Sequence, residues 1–184
     1  MNDGTVRLAQ AGDRDGLNAL MSAAWPRAFR LAYGVLGNRE SAEDVAQDAL
    51  LTVHRTLRGL RDVQSFDAWL SSIVVRAAVR AAKSAKRQRH EALEDFAALL
   101  DGSGSINERL DLANAMRRCT PLERAVLQLA ALGYTSAEIG KMVAKPPGTV
   151  RYHLSVARSR LRDAVDTRDE PEPVLPPGIM LHHA

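Results

Sequence analysis

The 184-residue chain has one cysteine, Cys119, and few aromatic residues: two tryptophans, three tyrosines and three phenylalanines. A single cysteine excludes an internal disulfide framework and a cysteine-based structural zinc site. The sequence has no run of about 18 uncharged apolar residues, which excludes a transmembrane helix. Residues 1–4 lack the basic and apolar parts of a signal peptide. We therefore expect a cytoplasmic protein.

Alanine is abundant, with 29 residues, and 46% of the chain is hydrophobic against 26% charged. Alanine has the best helix propensity, whereas strands favour aromatic and β-branched residues. The composition therefore predicts an all-α protein. The chain is long enough for two small helical domains joined by a flexible linker.

The N-terminal half contains three helical patterns. The first covers residues 17–36 and ends at Gly37, a typical C-terminal cap. The second covers residues 40–57, and the third covers residues 67–87 after a polar stretch, 58–65, that reads as a loop. The apolar residues of the second pattern share one helix face: Ala42, Val45, Ala46, Ala49, Leu50, Val53 and Leu57.

The C-terminal half begins after a glycine- and serine-rich stretch at residues 101–105 that is typical of a linker. We predict a first domain over residues 1–92, a linker over 93–107, a second domain over 108–166 and an acidic, proline-rich tail over 167–184. Helices are expected over residues 106–118, from Pro121 and from Ser136, the last two opened by capping boxes at Thr120 and Thr135. Residues 145–148 should form a turn, with Thr149 capping the final helix.

Charge is distributed in blocks, although the formal net charge is only +3. Six basic residues and no acid lie between positions 76 and 90, and six more lie between positions 141 and 162. Residues 40–48 carry four acids and no base. Two basic blocks separated by acidic ones indicate two polyanion contacts and at least one surface for a different partner.

The segment 135–162 has the pattern of a helix-turn-helix, with a short capped helix, a turn and a longer basic helix. Arg151, Tyr152, Ser155 and Arg158 occupy the outward side of the second helix, where they could reach base edges or phosphates. The alternative is a generic helical hairpin with a solvated basic face.

Catalytic and metal-binding motifs are weak, and we predict no enzyme activity, cofactor or metal. The five histidines are scattered, and neither a His-Glu-x-x-His run nor a Cys-x-x-Cys pair is present. Cys119 is expected to be a small core residue rather than a nucleophile.

Six motifs together resemble the sigma-70 family of bacterial RNA polymerase sigma factors, in its extracytoplasmic-function (ECF, group IV) subfamily. Residues 42–48 (AEDVAQD) and 65–73 (SFDAWLSSI) resemble the family's conserved second region. Residues 120–124, 136–140 and 148–151 resemble its fourth region, and residues 11–13 resemble the usual opening of the ECF group. The resemblance implies two helical domains, region 2 and region 4, joined by a linker.

The resemblance also implies contacts for region 2. One helix would dock on the clamp helices of the largest subunit of core RNA polymerase through Glu43, Asp44, Gln47, Asp48 and Leu51. The −10 promoter element would be bound and opened by Arg61, Ser65, Trp69, Arg76, Arg80, Lys83 and Arg87. Arg76 stands where the family commonly has asparagine, which shifts the expected contact from base readout toward phosphate.

Region 4 would read the −35 element through Thr149, Arg151, Tyr152, Ser155 and Arg158. The implied partners are promoter DNA, core polymerase (including the flap of its second-largest subunit) and an anti-sigma factor. Two alternatives stay open at this point. One is a sigma-like decoy that binds a regulator, and the other is a stand-alone helix-turn-helix regulator.

Overall fold

The structure is a computed structural model that describes residues 2–84 and 106–166. Within these ranges the regular secondary structure is entirely helical, with eight α-helices and two short 3₁₀ turns, at Leu57–Gly59 and Val63–Ser65. The predicted all-α class is confirmed. The helices are α1 (Asp3–Gln10), α2 (Arg14–Leu36), α3 (Arg39–Thr56), α4 (Phe66–Ser84), α5 (Ile106–Arg118), α6 (Pro121–Ala131), α7 (Ser136–Val143) and α8 (Pro147–Asp166).

Helices α1–α4 form an N-terminal lobe with α2 at its centre, packed against the other three. The Asp13 carboxylate caps the start of α2 by accepting a hydrogen bond from the Gly16 amide at 2.6 Å. Gly37 ends α2 in the left-handed conformation at φ 69°, which confirms the expected cap. The helix begins three residues earlier than expected, and α1 was not expected at all.

The apolar stripe predicted for α3 is buried, except that Leu50 is half-buried. On α4 the predicted inward positions Leu70, Val74 and Ala78 are buried, and so is Val75. The expected loop at residues 58–65 contains the two 3₁₀ turns and buries Val63. The last three residues of the third predicted helix lie outside the described residues.

Helices α5–α8 form a C-terminal lobe, and α5 has the bounds expected from the sequence. Both predicted capping boxes are present, with Thr120 and Glu123 opening α6 and Thr135 and Glu138 opening α7. Cys119 is buried, as expected for a small core residue, and its Sγ lies 3.7 Å from the Ala115 carbonyl oxygen.

The expected start of α8 is wrong. Residues 145–148 do not form the whole turn, because α8 already begins at Pro147 and Thr149 lies inside the helix rather than at its cap. A proline is tolerated in the first helical turn, since its missing N–H would have no partner there. Ala144 ends α7 in the left-handed conformation at φ 54°, and the Val150 amide donates to the Pro146 carbonyl at 3.1 Å.

The two lobes pack directly on each other. Helices α2 and α4 of the first lobe contact α6 and α7 of the second, and one hydrophobic cluster continues through both. The predicted linker and tail lie almost wholly outside the described residues, so the domain limits stay a prediction. None of the described helices is both long enough and apolar enough to cross a membrane.

Candidate nucleic-acid interface

Helix α8 presents a polar and basic face to solvent. Arg151, Tyr152, Ser155 and Arg158 are exposed, and the Tyr152 side chain is 66% accessible. The opposite face of the helix is buried through Val150, Leu154 and Ala157. Burial of one stripe therefore orients the other outward, as the sequence predicted. Thr149 is half-buried on the first turn.

A buried carboxylate anchors α8 to α6. Glu123 is 4% exposed, and its Oε2 accepts hydrogen bonds from the Thr120 amide and from the Arg160 guanidinium on α8. The His153 Nδ1 lies 3.9 Å from Glu123 Oε1 and has no hydrogen-bond partner among the described residues. The sequence identified Glu123 only as a capping residue. Its pairing with Arg160, 37 positions away, had no sequence signal.

Two other groups near this carboxylate have shifted pKa values. Burial raises the pKa of the Cys119 thiol, and the negative charge of Glu123 raises it further. Burial lowers the pKa of the Arg124 guanidinium. A thiol held neutral in this way is a poor nucleophile. In the part of the chain that the structure describes, no group of three His, Cys, Asp or Glu side chains could hold a metal ion.

The capping box of α7 fixes the start of the helix that precedes α8. Glu138 Oε2 accepts hydrogen bonds from the Thr135 amide at 2.8 Å and from the Thr135 hydroxyl at 2.7 Å. Both bonds favour the ionised carboxylate, and the hydroxyl bond is the larger cause of the lowered pKa of Glu138.

A second basic surface lies on α4, where Arg76, Arg80 and Lys83 are exposed residues one turn apart. The guanidinium of Arg76 is already engaged by the other lobe. Its Nε donates to the Met142 carbonyl and its Nη2 to the Lys141 carbonyl, each at 2.6 Å. Arg87, the fourth member of the predicted stripe, lies outside the described residues.

The loop before α4 carries the other candidates for the −10 contact. Arg61 is exposed, whereas the Ser65 hydroxyl is half-buried and donates to the Asp62 carbonyl at 2.7 Å. Trp69 is half-buried against Phe66, with ring centroids 6.0 Å apart. Arg61 and Trp69 therefore lie near the start of α4, whereas the Ser65 hydroxyl is engaged in a hydrogen bond within the loop.

Sequence reasoning missed Gln10, which holds this loop in place from α1. Its side-chain amide donates to the Leu57 carbonyl at 3.0 Å and to the Leu60 carbonyl at 2.7 Å. The only sequence signal nearby was the resemblance of residues 11–13 to the opening of the ECF group.

An acidic surface on α3 faces away from the core. Asp44, Gln47, Asp48 and Leu51 are exposed, and the Leu51 side chain is 50% accessible. Glu43 is half-buried, and its Oε1 pairs with the Arg39 Nε at 3.0 Å. All five predicted polymerase-binding residues thus lie on one helix. The negative charge of Glu43 is partly neutralised by its ion pair with Arg39.

Comparison with known proteins identifies the family to which this chain is similar. Residues 20–88 match the family described as Sigma-70 region 2. The ECF RNA polymerase sigma factor SigM of Mycobacterium tuberculosis is 30% identical over 152 residues, covering 82% of this chain and 78% of SigM. SigW of Bacillus subtilis, also an ECF sigma factor, is 23% identical and covers 85% of this chain and 92% of SigW.

A solved structure shares the fold. The sigma factor RpoE of Bartonella quintana, in complex with the anti-sigma factor NepR, aligns with a TM-score of 0.63 at 18% identity. The alignment covers 81% of this chain and 96% of RpoE.

Proposed function

This chain belongs to the ECF sigma factors of bacterial RNA polymerase, and we propose that it directs core polymerase to a small set of promoters by binding their −10 and −35 elements. Sigma factors are initiation factors rather than enzymes. The function of such a protein therefore depends on the surfaces with which it binds its partners. The observation that carries the proposal is the pairing, in one chain, of an exposed acidic helix face with two separate basic surfaces.

The acidic surface of α3 is the proposed polymerase contact. Asp44 and Asp48 lie one turn apart beside the exposed Leu51, which gives a charged rim around an apolar side chain. Charge complementarity would steer this helix onto a basic face of the polymerase clamp, and the leucine would supply apolar burial at the centre. The buried α3 stripe keeps the helix rigidly fixed to α2 and α4.

The exposed face of α8 is the proposed −35 reader. The N-terminal half of a recognition helix enters the major groove, where arginine can donate two hydrogen bonds to a guanine edge. Arg151 and Tyr152 lie in that half, and Ser155 and Arg158 follow on the same side. Arg158 is suited to a phosphate contact, which positions the helix without reading sequence.

The α4 surface and the loop before it are the proposed −10 contact. Arg61, Arg76, Arg80 and Lys83 supply positive charge, and Trp69 supplies an aromatic face at the end of the helix. Opening the duplex requires no covalent chemistry. Capturing an unstacked base offsets an unstacking cost of roughly a few kcal/mol.

We also propose that an anti-sigma factor regulates the chain. The support is that RpoE of Bartonella quintana, which shares the fold, was solved in complex with the anti-sigma factor NepR.

The proposal is tested by mapping the 5′ ends of transcripts made by core polymerase on genomic DNA fragments, with and without the protein. We expect new 5′ ends that share two motifs at a fixed spacing. A decoy would yield no new 5′ ends despite binding a regulator. A stand-alone regulator would bind operator DNA equally well without polymerase and would form no complex with the core enzyme.

A further inference from the structure

We propose that Gln10 of α1 is a positioning residue for the −10 contact. Its side-chain amide fixes the loop at residues 57–65 (the pre-α4 loop) and so sets the position in which Arg61 meets the promoter strand. Gln10 would act through Arg61 rather than by touching DNA. The inference rests on the proposed function, because it assigns a task to a residue that supports the proposed −10 surface.

The Gln10 side chain joins two points of the pre-α4 loop through a single nitrogen atom. Its Nε2 carries two N–H groups, and it donates to the Leu57 carbonyl at 3.0 Å and to the Leu60 carbonyl at 2.7 Å. Leu57 is the first residue of the first 3₁₀ turn, and Leu60 is the residue that follows this turn. The amide therefore spans the whole turn and fixes the backbone immediately before Arg61.

The other end of the pre-α4 loop is held by bonds between near neighbours in the chain. The Asp62 carboxylate accepts a hydrogen bond from the Gln64 amide at 3.0 Å. The Asp62 carbonyl accepts from the Ser65 amide at 3.2 Å and from its hydroxyl at 2.7 Å. Arg61 lies between these bonds and the Gln10 amide. Its exposed side chain makes no hydrogen bond or ion pair with another described residue, so its position depends on the backbone.

Helix α1 also packs against the pre-α4 loop. Val6 of α1 is buried in the same hydrophobic cluster as Leu57 and Val63, and the helix contacts both 3₁₀ turns. At the C-terminal end of α1, the Arg58 Nη2 lies 3.4 Å from the position that a Cβ would take at Gly12. A cation is favoured at the C-terminus of a helix. Helix α1 therefore supports the loop through buried and charged side chains as well as through the amide.

Positioning of this kind affects selectivity more than overall binding. An unstacked base is selected by hydrogen bonds and stacking, and both depend on distance. The groups that make such contacts must be held within about 0.5 Å of their productive positions by the residues behind them. Loss of the Gln10 amide should therefore reduce the difference between correct and incorrect −10 bases. A general loss of stability would instead lower initiation on every promoter by the same factor.

Gln10→Met tests the inference in the full chain, because methionine has a similar shape but no N–H donor. Holoenzyme assembled from core polymerase and the variant is given one mapped promoter and a panel of single substitutions at each −10 position. The ratio of run-off yields on the matched and substituted promoters measures discrimination at each position. Val45→Ala, which truncates a buried side chain in the first half of α3, is the control for lost stability. Urea denaturation shows that each variant folds.

We expect Gln10→Met to lower discrimination at least about threefold at one or more −10 positions. Discrimination at −35 should stay within about twofold of wild type, and every ratio for Val45→Ala should do the same. Wild-type ratios for Gln10→Met at all −10 positions would overturn the inference and leave the proposed function intact. A wild-type holoenzyme that does not discriminate among −10 bases would overturn both.

A double-mutant cycle with Arg61→Ala shows whether Gln10 acts through Arg61. The effect of Gln10→Met on −10 discrimination should be at least about twofold smaller when it is combined with Arg61→Ala, because the two residues act as a unit. Gln10→Ala removes the same amide with a residue of high helix propensity, and it replaces Gln10→Met if that variant does not fold. Equal effects of the Gln10 substitution with and without Arg61→Ala would contradict the inference.

Discussion

At the scale of single residues, Arg151 and Arg158 are exposed on one helix but are assigned different tasks. Arg151→Ala should lower affinity for a promoter by about 1–3 kcal/mol and relax discrimination at one or two −35 positions, because a guanine-edge contact is lost. Arg158→Ala should weaken binding similarly on all sequences and reduce its salt dependence. Fluorescence anisotropy on matched and scrambled −35 duplexes measures both. Equal losses on the two duplexes for Arg151→Ala would remove this residue from base reading.

Glu123 is the residue on which the position of α8 depends most. Glu123→Gln removes a buried charge from Arg160, which is itself partly exposed, so we expect a loss of about 1–3 kcal/mol in the free energy of unfolding. Urea denaturation measures it. Glu138→Gln is the matched control, because it changes the same capping position in an exposed box with no arginine partner. A loss for Glu123→Gln no greater than that of the control would show that the ion pair contributes nothing.

The role of a single residue could be predicted from the sequence where that role depends on neighbouring residues in the chain. The capping roles of Thr120, Thr135 and Gly37 follow from side chains and backbone within four positions, and the structure confirms them. The contacts of Gln10 and Arg76 with distant carbonyls depend on tertiary packing, so no local pattern in the sequence indicates them.

At the scale of helices, α3 is the proposed docking element. Asp44→Lys/Asp48→Lys should weaken binding to core polymerase at least about tenfold, because a complementary basic face would then be repelled. Asp3→Lys/Asp15→Lys carries the same charge change on the first turns of α1 and α2 and is the matched control. Pull-down titration with core enzyme is the measurement. Wild-type affinity for the α3 double variant would refute the docking surface.

The α7 capping box should make stability depend on pH. Hydrogen bonds from Thr135 lower the pKa of Glu138 below its ordinary value of 4.5, so the ionised cap stabilises the folded state above that pH. The contribution is lost as pH falls through the lowered folded-state pKa. The stability difference between wild type and Glu138→Gln should therefore shrink on acidification from pH 6 to pH 3. A difference that stays constant over this range would contradict the assignment.

Most helices could be predicted from the sequence, because apolar periodicity and helix caps depend on residues that are close together in the chain. The α3 stripe and the bounds of α5 were predicted in this way. The start of α8 was misplaced because a proline pair suggests a turn, although the first helical turn accommodates Pro147. Helix α1 was missed because its eight residues bury only Val6 and Ala9, too few positions to give a visible period.

At the scale of the whole molecule, the surfaces described above differ in how accessible they are. The acidic α3 face and the basic α8 face are both exposed, whereas Arg76 on α4 is held at the lobe interface. Two domains were expected from the linker composition, but their direct packing was not. Complementary surfaces brought together from distant parts of the chain leave no periodic signal in the sequence.

We propose that this protein confers promoter-specific initiation on core RNA polymerase. Run-off transcription on one mapped promoter, with core enzyme alone and with core enzyme plus the protein, tests it most directly. We expect a discrete run-off product only when the protein is present, and loss of that product when either the −10 or the −35 element is scrambled. The same transcript yield with and without the protein, or a yield unaffected by scrambling both elements, would contradict this proposal.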